Sequence, residues 1–121
     1  MRSVLGGLAA AVLVIAALVA GAVAPRGHAS SQATTKIKVT ASEFKFVLSK
    51  KTAPKGKIVF TLVNKGKLPH DFKIAGRKSK TVGAGKTTIL TVTIAAKGKK
   101  PYLCTIPGHA LAGMKGTFAV S

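Results

Sequence analysis

From Lys36 to Ser121 the apolar side chains alternate with polar ones in short runs and do not recur at helical spacing. Ile37, Val39 and Ala41 alternate with polar neighbours, and Phe44, Phe46 and Leu48 repeat the pattern. Period-two alternation puts every second side chain on one face of a strand, so each run predicts a half-buried β-strand. Ile58 to Val63 is denser and predicts a central strand. Phe72 and Ile74 follow His70 at period two, which places His70 at the start of its own strand. Leu90, Val92 and Ile94 interleave with Ile89, Thr91 and Thr93 in a long β-branched run. Tyr102 and Cys104 share a face of another strand; Met114, Gly116, Phe118 and Val120 share a face of the last. Pro54-Lys55-Gly56, Asn64-Lys65-Gly66 and Lys97-Gly98-Lys99 carry turn chemistry between the runs. The expectation is an all-β domain over residues 36–121, a Greek-key β-sandwich of about seven to eight strands.

The chain ahead of this domain has a different pattern. After Met1 and Arg2 an uncharged run extends from Val4 to Ala24, rich in Ala, Val and Leu. A basic start followed by an apolar core predicts a secretory signal helix, and the run is also long enough to stay as a membrane anchor. Ala22-Val23-Ala24 offers small residues for cleavage, but Pro25 follows at once; Gly27-His28-Ala29 is the better site. Residues 1–29 therefore read as signal peptide or anchor, residues 30–35 as a polar linker, and His28 has no assigned role. Either fate exports the domain to the periplasm or another extracytoplasmic space.

Charge and cysteine usage narrow the function. The chain has 20 Lys and Arg against 2 acids, a net +18, and losing Arg2 and Arg26 with the leader leaves +16. The only acids are Glu43 and Asp71. So basic a chain raises the question of nucleic acid, but export removes it from the cell's nucleic acid. The basic residues are also mostly Lys set singly between apolar ones, with one tyrosine and no tryptophan for base stacking. A solubilising shell, an acidic protein partner and an anionic cell envelope all fit. A domain of this size has a modest core, and its single cysteine, Cys104, allows no internal disulfide. An exported lone thiol calls for burial or a metal.

The segment from Tyr102 to Gly116 sets Cys104, His109 and Met114 in the order Cys-x4-His-x4-Met between two predicted strands. Pro107-Gly108 supplies a turn before His109, and Gly113 gives room before Met114. His70 is the other histidine of the exported domain. Singly, these residues have plain readings as a core thiol, a core filler and a strand-end histidine. Together they form the set of two imidazoles, one thiolate and a weak axial thioether that marks a blue copper electron-transfer site. Zinc also takes Cys and His, but its structural sites favour several Cys and not Met. Gly83-Ala-Gly-Lys-Thr-Thr88 looks like the end of a phosphate-binding loop, yet Lys80 stands where the first glycine belongs and a strand pattern follows; it reads as a turn.

The segments Cys104-Thr-Ile-Pro-Gly-His109 and Pro69-His70-Asp71-Phe72 resemble the two ligand-bearing loops of the cupredoxins. The spacing to Met114 is more like that of rusticyanin than that of azurin. The resemblance implies one type 1 copper ion held by His70, Cys104, His109 and Met114. It further implies a monomeric single-electron carrier and no enzyme, with His109 as the port and an acidic redox partner. Pro107, Gly108, Ala110, Leu111 and Ala112, with Leu68 and Pro69, would make the apolar docking patch. Where several members of the family have Asn after the first histidine, this chain has Asp71. It is expected to tie its loop to Thr105 and, through its charge, to lower the reduction potential. Copper delivery, a copper enzyme and a basic adhesion module are the alternatives, and an enzyme would need extra histidines that this domain lacks.

Overall fold

The computed structural model describes residues 33–121. The segment read as signal peptide or anchor and the first residues of the linker lie outside the described residues. Nine strands form, and there is no helix among the described residues. Strands β1 (Thr35–Ser42), β2 (Lys45–Leu48), β4 (Gly56–Asn64) and β7 (Thr87–Ile94) make one sheet in the order β2-β1-β4-β7. Strands β3 (Thr52–Ala53), β5 (Lys73–Ile74), β6 (Arg77–Lys78), β8 (Gly98–Leu103) and β9 (Lys115–Val120) make the other, ordered β3-β9-β8-β5-β6. Most neighbours are antiparallel, while β1 runs parallel to β4 and β3 parallel to β9.

The alternation in the sequence becomes the core of the sandwich. Ile37 faces across to Phe60, and Phe60 to Leu90, so one buried residue from each of three strands lines up across the first sheet. Their polar neighbours Lys36, Lys38, Thr91 and Thr93 point to solvent. Phe60 is fully buried and meets Phe72 at 5.1 Å and Phe118 at 5.6 Å between ring centroids, joining the two sheets. Each such ring contributes about 1.5–3 kcal/mol through burial, plus a smaller edge-to-face term where the rings are steeply inclined.

The structure departs from the expected strands in several places. The two-residue strands β3 and β6 are too short to show any alternation. Strand β8 begins at Gly98, inside the stretch expected to turn, because Lys99 and Lys100 pair with Ala119 and Phe118 of β9. Cys104 lies one residue beyond β8, Met114 one residue ahead of β9, and Phe44 in the turn ahead of β2. His70 is not at the start of a strand: β5 begins at Lys73, and His70 instead makes a single antiparallel bridge to Val82. At the other boundary, β1 begins at Thr35, the last residue of the stretch read as linker. Gly83 to Lys86 is a turn, closed by the Lys86 N–H donating to the Gly83 carbonyl at 3.1 Å, and β7 follows it.

Candidate metal centre

Three connections converge at one end of the sandwich: the β1–β2 turn, the β4–β5 connection and the β8–β9 connection. The last carries the Cys-His-Met segment and is held largely by its own backbone. Cys104 N–H donates to the Met114 carbonyl at 3.1 Å, extending the β8–β9 ladder by one residue pair. Met114 N–H donates to the His109 carbonyl at 3.0 Å, and His109 N–H to that of Ile106 at 3.0 Å. Gly108 at φ 85° and Gly113 at φ 116° supply backbone conformations that other residues rarely take. The loop therefore folds back on itself and brings residues 104, 109 and 114 to one place.

His70 is held in another way. Asn64, at the end of β4, was read as a turn residue but is wholly buried. Its amide donates to the carbonyls of Leu68 at 2.8 Å and Val82 at 2.9 Å, and its oxygen accepts from Gly66 N–H at 2.8 Å. The bridge to Val82 then fixes the His70 backbone from both sides, at 3.1 and 2.9 Å.

The outcome is a compact, buried donor set. His70, Cys104 and His109 each offer one ligand atom, and these lie within 4.8 Å of one another. The Nδ1 atoms of His70 and His109 are 3.2 Å apart, and His109 Nδ1 is 3.6 Å from Cys104 Sγ. His70 and Cys104 are all but sealed from solvent, while His109 keeps 8% exposure. Met114 is fully buried on the same loop. One soft thiol beside two imidazoles, gathered without acids among them, fits copper by its donor chemistry. Burial pushes the Cys104 thiol above its ordinary pKa of 9.0. It stays protonated near neutral pH, so a metal taken up there displaces a proton.

Around these atoms lie the chain's only two carboxylates. Asp71, 1% exposed, accepts the Thr105 N–H at 2.7 Å on one oxygen and the Thr105 hydroxyl on the other, joining the His70 segment to the Cys104 segment. Lys78 approaches it at 4.0 Å. Glu43, in the β1–β2 turn, had no place in the site on sequence grounds. Its Oε1 lies 3.1 Å from His70 Nε2 and accepts the backbone N–H groups of Lys67 and Leu68, each at 2.9 Å. The Leu68 N–H, more than the His70 and Lys67 contacts, holds this carboxyl below its ordinary pKa of 4.5, against the opposing effect of desolvation. Phe44, the next residue, sets its ring edge-on to His109 at 5.0 Å. Around the site the apolar rim is open: Leu111 is 91% exposed, Leu68 42% and Phe44 37%.

A β-sandwich with a buried thiol beside two imidazoles at one end defines a class of small metal-binding domains. The family model for the cupredoxin-like domain matches residues 9–120, and the chain belongs to that family. A 40-residue stretch is 48% identical to auracyanin-B of Chloroflexus aurantiacus, covering 33% of this chain and 17% of that protein's length. Among solved structures, reduced auracyanin from Roseiflexus castenholzii superposes with a TM-score of 0.64 at 24% identity, over 72% of this chain and 97% of that one. Auracyanin A of Chloroflexus aurantiacus, described as a "blue" copper protein, gives 0.65 at 18% identity, over 74% and 100%. Rusticyanin from Thiobacillus ferrooxidans gives 0.60 at 22% identity, over 73% and 77%. At these identities the superpositions speak for the fold.

Proposed function

We propose that residues 36–121 form an exported type 1 copper domain that carries single electrons, with His70, Cys104, His109 and Met114 as ligands. The observation that carries this reading is the gathering of two imidazole Nδ1 atoms and one thiol within 4.8 Å in a buried pocket of this fold. A bound copper ion supplies a one-electron Cu(I)/Cu(II) couple. The protein's part is to hold the donors in place, so that little rearranges on gain or loss of an electron. The loop hydrogen bonds and the Asp71–Thr105 tie do this. Met114 would hold the copper through its thioether, and its backbone bonds to Cys104 and His109 keep it on the same folded loop.

Electrons pass through His109, the more exposed of the two imidazoles at the site, amid the rim of Leu68, Pro69, Pro107, Gly108, Ala110, Leu111 and Ala112. A weak apolar contact suits a partner that must leave after each transfer. The surrounding lysines, nearly all without a carboxylate partner among the described residues, favour an acidic partner and raise its on-rate more than its affinity. The domain acts as a monomer and performs no catalysis of its own. Residues 1–29 serve as the export signal or anchor, and 30–35 as the linker.

The test is the absorption spectrum after one equivalent of copper is added to the purified domain. The proposal predicts an intense thiolate-to-copper band that makes the protein blue. The band should bleach on reduction, return on oxidation and vanish in Cys104→Ala. A colourless complex, or a band that survives Cys104→Ala, would refute it.

A further inference from the structure

The position of Glu43 is unlike that of an ordinary surface acid. It sits 27 residues from His70 in sequence, yet its Oε1 lies 3.1 Å from His70 Nε2. The same oxygen accepts two backbone N–H groups, from Lys67 and Leu68. Gly66 packs so close that a Cβ there would fall on the carboxylate. The group is thus pinned from three sides, although its side chain is 30% exposed. An ionised carboxylate can only accept, so the hydrogen between these atoms belongs to the imidazole. In a neutral ring that leaves Nδ1 bare, and Nδ1 is the atom facing His109 and Cys104. The contact between the two Nδ1 atoms at 3.2 Å then has one direction only: His109 donates and His70 accepts.

We infer that Glu43 is a positioning residue for the metal centre: it fixes His70 in the Nε2–H tautomer, aims its bare Nδ1 at the other donors, and lends the imidazole negative charge. The charge matters here because the domain has one other acid and 18 Lys and Arg from residue 36 onward. A hydrogen-bonded carboxylate behind a ligating histidine makes the ring a stronger donor and favours the more positive oxidation state of a bound metal. The electrostatic part rests on the copper reading; the tautomer does not.

Nitrogen-15 NMR of the imidazoles in metal-free protein at neutral pH tests the tautomer. Wild type should show His70 protonated on Nε2 alone, with a slowly exchanging proton. Glu43→Gln keeps an acceptor oxygen in place and should retain that state. Glu43→Ala should give a tautomer mixture and fast exchange. A His70 proton on Nδ1 in wild type, or a Glu43→Ala spectrum like wild type, overturns the inference. In copper-loaded protein, Glu43→Gln should shift the midpoint potential upward with the tautomer unchanged; an equal or lower potential overturns the electrostatic half. The first readout needs no metal, so it stands or falls separately from the copper proposal.

Discussion

The two segments that meet at the site are built on opposite plans. Residues 104–114 supply Cys104, His109 and Met114, and their defining hydrogen bonds run within the segment. Residues 64–72 supply His70 alone and are fixed by groups from elsewhere: Val82 before β7 and Glu43 in the β1–β2 turn, with Asn64 at the segment's root bonding both ways. A self-closed loop brings its own geometry and depends on glycines. A borrowed one depends on polar side chains such as Asn64 and Glu43, each of which leaves several partners unpaired if removed. Asp71 and Thr105 are where the two plans are tied together.

Substitutions can separate the two plans, beginning with the tie itself. Asp71→Ala strands the N–H and hydroxyl of Thr105 and removes two charge-assisted bonds, a loss of about 3–5 kcal/mol. Urea unfolding of the metal-free domain measures it, and a loss under about 1 kcal/mol would mean that the segments do not need the tie. The companion Asp71→Asn keeps one acceptor, should cost less, and should raise the midpoint potential of the copper form. An unchanged or lower potential would count against a role for the Asp71 charge.

Asn64→Ala should cost about 2–3 kcal/mol, because the carbonyls of Leu68 and Val82 and the N–H of Gly66 all lose a partner. Its signature is local. Amide exchange should quicken at Leu68 and His70 while Cys104 and Met114 stay protected, and uniform quickening would erase the distinction between the plans. Gly113→Ala should act in reverse. Backbone strain at φ 116° costs about 1–3 kcal/mol, and the quickened amides should be those of His109 to Met114. Leu111→Ser, at a side chain 91% exposed, should change unfolding stability by no more than about 0.5 kcal/mol. It should nevertheless slow electron exchange with a partner that docks on the apolar rim.

How much could be read from the chain follows the same division. Six of the strands fall on runs whose apolar residues were legible as strands, as in Ile37-Val39-Ala41 and Leu90-Val92-Ile94, while β5 was legible only through Phe72 and Ile74 and is shorter than that run. The self-closed segment was equally readable: Cys104, His109 and Met114 sit close in sequence, and Pro107, Gly108 and Gly113 mark where it must bend. Strands β3 and β6 were not, since each has two residues and no apolar run at period two beside it. The start of β8 was hidden because a Lys-Gly run has turn composition, and only pairing with β9 makes it a strand. Glu43 and Asn64 were missed for a deeper reason. What they do depends on which segments the fold brings beside them, and a one-dimensional pattern does not encode contacts between Glu43 and a histidine 27 residues on. One signal did exist. In a chain with two acids among 121 residues, the position of each acid is informative.

On the proposed function, both plans deliver their donors to a single metal position. A crystal structure of the copper-loaded domain, with the metal located by its anomalous scattering, tests it most directly. The expected result is one copper bonded to Nδ1 of His70, Nδ1 of His109 and Sγ of Cys104, with Met114 as the weaker fourth ligand and Glu43 still bonded to His70 Nε2. Copper bound elsewhere, or held through Nε2 of either histidine, would contradict it.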